Sequence, residues 1–192
     1  RSLDAEVATG TVNARLLLQP LRGLNLEGFY RLRDRDYDMP RDGYNYIRGD
    51  GSNQRDSRFT VYNTAHDLTS QTVGFEAAYR LPLRSRLSFK YEFENIERRN
   101  VAVEETDEDR YTLAYRIQPW SSFTARLSML YGNRAADTYQ WDQSYYALLD
   151  TELINLTPDS QRYLNHPELS QYHLANRERL EGKLDLNYLL TE

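Results

Sequence analysis

The side chains most able to do chemistry in this chain are its charged ones, because residues for nucleophilic catalysis and metal binding are scarce. The 192 residues include no cysteine and only three histidines, which are His66, His166 and His173. Without thiols, disulfides and thiolate metal sites are excluded. His66 stands beside Asp67 as a candidate acid–base pair, yet no nucleophile or second histidine is spaced to join it. We therefore expect neither an enzyme nor a metal site.

The charged residues follow a pattern in which many recur at every second position between apolar neighbours. On a strand, such residues share one face. A charged face could bind a partner, form ion pairs among its own residues, or line a water-filled pore. The net charge of −5 argues against a nucleic-acid partner. The candidate residues of this face are Arg15, Glu27, Arg31, Glu76, Arg80, Lys90, Glu92, Arg116, Arg126, Lys183 and Asp185.

Strands are the elements that must position these charges. The run from Leu87 to Glu94, LSFKYEFE, places Leu, Phe, Tyr and Phe on one face and Ser, Lys, Glu and Glu on the other. Seven runs of this kind, each of roughly nine to eleven residues, predict an all-β antiparallel fold. Their connections alternate between breaks of about five residues and long loops. The short breaks carry Pro20, Pro82 and Pro119, and the long loops cover about 34–71, 95–109 and 133–179.

A soluble antiparallel sandwich would also alternate, but three features favour a transmembrane β-barrel. About 9–11 residues is the length that a tilted strand needs to cross a bilayer, whereas soluble strands average about five to six. Short turns on one rim and long loops on the other are typical of outer-membrane barrels. Tyrosine is abundant, at 16 residues, and suits the boundary between lipid and water. The predicted aromatic girdle consists of Tyr30, Tyr79, Tyr91, Tyr115, Tyr131 and Tyr188.

The energetics of a bilayer fix the orientation of such strands. An arginine or lysine on the lipid face at mid-bilayer costs about 2–4 kcal/mol, so the charged face should point into the lumen. The mean hydropathy of −0.79 is then no sign of solubility, since half of each strand and all loops are polar. Seven strands would leave unpaired backbone in lipid. We therefore expect residues 1–192 to be an excerpt of one larger outer-membrane β-barrel domain.

Several segments resemble the MtrB/PioB family of decahaem-associated outer-membrane proteins. They read FEAAYRLPLRSRLSFKYEFENIERRN, EETDEDRYTLAYRIQP, YGNRAADTY and YHLANRERLEGKLDLNY. Strands of the family alternate with loop edges rich in Tyr and Arg, and an acidic stretch precedes one strand. An Ala-Asp-Arg-like element precedes a late strand, which here reads Ala175, Asn176 and Arg177. The resemblance covers roughly residues 24–188.

The resemblance implies a barrel in the outer membrane of a Gram-negative bacterium that sheathes a periplasmic multihaem c-type cytochrome. Electrons then cross the membrane along the haems of the partner, and an extracellular multihaem cytochrome often docks outside. The barrel itself would bind no cofactor, which agrees with the absence of a C-x-x-C-H haem attachment motif. A general porin or transporter barrel of another family is the alternative, followed by a soluble β-rich binding domain.

Three loop segments carry further expectations. Residues 41–56 contain two Asp-Gly turn signals, and a calcium site at Asp50, Ser52, Gln54 and Asp56 is a weaker alternative to a plain turn. Residues 103–109, VEETDED, are predicted as a solvated acidic loop, with a docking or cation-attracting surface as the sharper hypothesis. Residues 142–156 have helical spacing and are predicted to form a short helix that plugs the lumen or caps the exterior.

Overall fold

In a computed structural model, the protein is an antiparallel meander. The structure describes residues 4–47, 55–140 and 174–189. Seven strands form one sheet in the order β1-β2-β5-β6-β7-β8-β9, and β3 and β4 pair separately as a hairpin. This confirms the predicted fold class. The strands are β1 (Glu6–Leu21), β2 (Leu24–Asp38), β3 (Gly43–Ile47), β4 (Arg55–Tyr62), β5 (Leu68–Leu81), β6 (Ser85–Arg98), β7 (Glu105–Trp120), β8 (Phe123–Ala136) and β9 (Arg177–Tyr188).

The sheet is open at both edges. Strand β1 pairs with β2, strand β9 pairs with β8, and no pairing joins β1 to β9 among the described residues. Unpaired backbone groups in hydrocarbon cost several kcal/mol each. A membrane wall with this topology therefore needs further strands at its two edges.

Three tight connections, residues 22–23, 82–84 and 121–122, lie at one edge of the strands, which we call the turn rim. Gly23 adopts a φ of 89°, a conformation that glycine reaches without steric penalty. In the β5–β6 turn, Leu83 and Arg84 have φ values of 59° and 52°. The backbone N–H and the hydroxyl of Ser85 both donate to the Pro82 carbonyl, at 3.3 and 2.8 Å. These bonds hold the two strained residues in place.

The prolines of the turn rim have two different placements. Pro82 lies in its turn as predicted, whereas Pro20 and Pro119 lie inside the ends of β1 and β7. At both of these sites the pairing register shifts, between Leu18 and Leu21 and between residues 117 and 120. Proline has no N–H for the ladder, so within sheets it is confined to edges, strand starts and bulges. The bulges absorb the prolines and allow the strands to continue to the turns.

The strands are longer than predicted, and the predicted long loops are correspondingly shorter. Strand β6 has 14 residues. At about 3.4 Å per residue and a tilt of about 40°, it rises about 36 Å, well beyond an apolar band of about 25 Å. The predicted loop 95–109 shrinks to 99–104, and the prediction that residues 105–109 are loop is wrong, because they begin β7. Above the lipid both faces of a strand are polar, so the alternation that reveals a strand disappears.

The opposite edge, which we call the loop rim, is packed as well as hydrogen-bonded. Within the 99–104 connection, Ala102 and Val103 are each 1% exposed. The carboxylate of Asp67 accepts the backbone N–H of Tyr37 at 3.0 Å and the Arg99 guanidinium at 2.8 Å. Asp67 therefore ties β2, the segment before β5, and the β6–β7 connection together.

Some predictions fall on other parts of the chain. The helix predicted at 142–156 lies outside the described residues. Asp50, Ser52 and Gln54 of the calcium hypothesis also lie outside them, although the predicted loop 34–71 contains the β3–β4 hairpin. Within the described ranges, no group of three or more His, Cys, Asp or Glu residues is arranged to hold a metal ion. No helix within those ranges is long and apolar enough to cross a membrane.

Candidate functional site

The strand register brings all eleven predicted charged residues to one face of the sheet. Glu27 lies opposite Glu76, and Glu76 lies opposite Lys90. Arg116 lies opposite Arg126 across β7 and β8. Residues that stand opposite one another on adjacent strands share a face, and the register places the whole set on one side of the sheet. The set is Arg15, Glu27, Arg31, Glu76, Arg80, Lys90, Glu92, Arg116, Arg126, Lys183 and Asp185. We call this side the inner face, and contact with a partner there remains a prediction.

Burial indicates that the sheet curves toward its inner face. Inner-face residues include Phe29 at 8% exposure, Ala78 at 3% and Thr106 at 2%. On the opposite, outer face, Leu113 is 47% exposed and Leu127 is 48% exposed. Side chains crowd on the concave side of a curved sheet and splay on the convex side. The charged side is therefore the concave one, as the interior of a barrel requires.

The outer face is a continuous apolar band with aromatic borders. The Tyr91 ring lies 5.1 Å from the Tyr111 ring, which lies 6.4 Å from the Tyr131 ring. Near the turn rim, Trp120 and Phe123 stack at 5.4 Å. From Phe123 to Tyr131 the chain advances eight positions, or about 20 Å of height at about 3.3 Å per residue and 40° tilt, close to the roughly 25 Å band of outer-membrane barrels.

The six tyrosines predicted for the girdle all lie on the outer face, but at two levels. Tyr79, Tyr115 and Tyr188 lie near the turn rim, and Tyr30, Tyr91 and Tyr131 lie near mid-strand. The second level is not at the strand ends, because the strands continue beyond the lipid. The predicted girdle omitted Tyr111, which completes this level. Tyr111 lies an even number of positions from Tyr115 on the same strand, and this spacing could have placed it on the outer face. The Tyr91 hydroxyl donates to the Asp109 carboxylate at 2.6 Å, which marks where the polar surface begins.

In the middle of the inner face, opposite charges largely satisfy one another. Salt bridges join Arg15 to Glu27 at 2.6 Å and Lys90 to Glu92 at 2.8 Å. Such partly exposed pairs contribute only about 0–1 kcal/mol each. Their arrangement favours a hydrated polar surface rather than a strongly charged one.

The aromatic ring of Phe29 packs within the middle of this polar surface. Phe29 lies over Gly74, where an added Cβ would stand 2.6 Å from the Phe29 Cζ. The Arg31 guanidinium lies 4.8 Å from the ring centroid and the Lys90 ammonium 5.3 Å from it. The ring thus supports two cations through cation–π contacts. Glycine is required at position 74 because an added side chain would meet both the Phe29 ring and the backbone carbonyl oxygen of Tyr91.

The inner face near the loop rim carries a second charged network, and its members Arg98, Glu108 and Arg177 lie within predicted loops. The Glu108 carboxylate accepts both of its hydrogen bonds from Arg177, at 2.9 and 3.1 Å, and so links β7 to β9 across β8. Arg110 pairs with Glu94 at 3.0 Å. Burial, together with the positive charge of Arg134, lowers the pKa of Arg98 at the end of β6. These strand ends carry polar residues on both faces, so their sequence shows no alternation that would identify them as strands.

Near the turn rim, the inner face gathers arginines. Arg80, Arg116 and Arg126 were predicted for this face, and Arg86 joins them. Arg86 was missed because it was counted within the break after Pro82. The inner face is therefore mixed in sign at its middle, whereas arginines predominate at this end. The concentration of arginines at this end depends on cross-strand register, which the sequence alone does not give.

A curved antiparallel meander with an apolar, tyrosine-bordered convex face and a charged concave face is the wall of an outer-membrane β-barrel. The family model described as "Putative outer membrane beta-barrel porin, MtrB/PioB" matches residues 1–192. The chain belongs to this family, and its place is the outer membrane. This confirms the resemblance found in the sequence.

A curated relative agrees with the family match. The outer membrane protein MtrB of Shewanella baltica (strain OS185) is 26% identical over 180 residues, which cover 94% of this chain. The chain spans 23% of the length of that relative. The described sheet therefore corresponds to one sector of a larger barrel wall.

Proposed function

We propose that the complete barrel sheathes a periplasmic multihaem c-type cytochrome and positions it for electron transfer across the outer membrane. An extracellular multihaem cytochrome is a further proposed partner. In this proposal the barrel binds no haem and catalyses no reaction. Family membership supports the proposal, together with an inner face that offers ion-pairing groups from one rim to the other.

The single observation that carries the proposal is the division of the inner face into a balanced middle and an arginine-rich end. A polypeptide inside the barrel would rest on hydrated, self-paired charges such as Lys90 and Glu92. It would be held in register by unbalanced ones such as Arg116 and Arg126. Complementary charge arrangements of this kind direct specificity and association rate more than raw affinity.

Purification of the complete barrel from outer membranes tests this function. A tagged barrel extracted in mild detergent should carry a polypeptide that stains for covalently bound haem. The same complex, placed in a planar bilayer, should conduct ions poorly because its lumen is filled. A barrel that is recovered without a haem-staining partner and conducts freely contradicts the proposal.

That contradictory result would favour the second candidate, a general porin. The family model carries the word porin in its description, and a hydrated charged lumen also suits a diffusion channel. Conductance of the isolated barrel separates the two candidates, since an empty lumen gives large open-channel currents and a filled one does not.

A further inference from the structure

The inner row nearest the turn rim is made of arginines that stand side by side. Arg80 lies opposite Arg86, Arg86 opposite Arg116, and Arg116 opposite Arg126. All four side chains are exposed. We call this row the arginine ladder. Like charges placed directly opposite one another destabilise a sheet, so a ladder repeated over four strands would be stabilised by an anion that neutralises it.

The protein's own carboxylates balance the ladder only in part. Glu76 approaches Arg86 at 3.7 Å, and that arginine side chain is still 52% exposed. Asp185 lies opposite the last arginine of the ladder, yet its carboxylate pairs with Lys183 at 3.2 Å. Among the described residues, the other three ladder arginines form no salt bridge. The ladder therefore keeps most of its positive charge available.

A row of small residues beside the ladder leaves room for a ligand. Ala78, Ser88, Ala114 and Ser128 lie opposite one another, one inner-face position further from the turn rim. A depression of about 230 Å³ opens between this row and the ladder. Four strands at about 4.8 Å spacing give the groove a length of about 14 Å from the first strand to the fourth. Its lining residues are Glu76, Arg86, Ser88, Ala114, Arg116 and Arg126.

We propose that the arginine ladder docks an acidic segment of the polypeptide that the barrel encloses, which rests on the function proposed above. Guanidinium groups bind carboxylates through two parallel hydrogen bonds. A line of four guanidiniums over about 14 Å fits several Asp or Glu side chains of one segment. One small anion would occupy only a fraction of it. The short turns of outer-membrane barrels are periplasmic, so the ladder lies at the mouth by which a periplasmic partner enters.

A salt-release experiment on the purified complex tests this docking. The double variant R116Q/R126Q removes two ladder charges that make no ion pair within the described residues. The control R22Q/R84Q removes the same charge from the tips of two turns at the same rim. We expect R116Q/R126Q to release the haem-staining partner at least about tenfold faster at moderate salt, and the control to match the unmodified complex. R116K/R126K should be intermediate, because lysine keeps the charge and loses the planar fork.

Each outcome bears on a different claim. If the unmodified barrel holds no haem-staining partner, the proposed function fails and the docking claim fails with it. If the partner is present and R116Q/R126Q retains it as well as the control does, the ladder does not dock it, although the proposed function stands. If the variant barrel lost its folded band in electrophoresis, the lysine variant would decide instead. If R116K/R126K and R22Q/R84Q then both released the partner at the rate of the unmodified complex, the claim of bidentate docking would be overturned.

Discussion

A pair of leucine-to-arginine substitutions provides a sharp test of which face meets lipid. Leu113 lies midway between the two tyrosine levels, opposite Phe89 and Met129, and is 47% exposed on the outer face. Leu130 lies on the inner face one strand away, opposite Thr112 and Glu181. The two substitutions change the chain by the same atoms at nearly the same height in the wall.

The expected effects differ because only one arginine enters hydrocarbon. On the lipid face, two positions inside the tyrosine border of the apolar band, Leu113→Arg should lower the free energy of unfolding by about 1–3 kcal/mol, between the cost at the interface and the cost at mid-bilayer. This corresponds to a shift of about 5- to 150-fold in the folding equilibrium. Leu130→Arg places its charge in the lumen near a carboxylate, where the change should stay within about 0.5 kcal/mol.

The assay is the folded fraction of the complete barrel in outer-membrane extracts, read from heat-modifiable electrophoretic mobility across a urea titration. Leu113→Arg should move the midpoint to clearly lower urea, and Leu130→Arg should leave it nearly unchanged. Equal shifts for the two variants, or a larger shift for Leu130→Arg, would refute the assignment of the outer face to lipid.

Three further tests, of side-chain packing, of an ion pair and of turn strain, use the same titration. Gly74→Ala should destabilise by about 1–3 kcal/mol, because its methyl group meets both the Tyr91 carbonyl oxygen and the Phe29 ring. Gly182→Ala, with nothing within 4 Å of an added Cβ, should be close to neutral, and similar effects at both sites would contradict the close packing at Gly74. Glu108→Gln should cost about 1–2 kcal/mol because it weakens two hydrogen bonds that Arg177 donates to a largely buried carboxylate. Glu181→Gln, on an exposed pair, should cost under about 0.5 kcal/mol. Arg84→Gly should stabilise the barrel by up to about 1 kcal/mol because it relieves a positive φ, and a loss of stability would show that the turn is not strained.

The fold was predictable from the sequence wherever lipid imposes a hydrophobic period. Leu87 to Phe93 alternates cleanly, so both the strand and its outer face could be predicted before its partners were known. Glu105 to Asp109 belongs to the next strand, but it lies above the lipid and is polar on both faces. No period marks such a segment, and it was predicted as a loop.

The arginine ladder could not be predicted for a different reason. A strand's faces follow from its own sequence, whereas the residues that stand opposite one another depend on the register of each hairpin. Register depends on turn geometry and on bulges such as the shift between Ile117 and Trp120. Arg86 was missed because the β5–β6 turn is tighter than the proline suggested, so that β6 begins at Ser85.

Photo-crosslinking from neighbouring positions of β8 tests most directly whether the inner face encloses a cytochrome. A photoreactive amino acid replaces Leu130 on the inner face in one variant of the complete barrel and Met129 on the outer face in the other. The account predicts a haem-staining adduct from position 130 and none from position 129. Absence of the adduct from position 130 in membranes that contain folded barrel, or equal adducts from both positions, would contradict it.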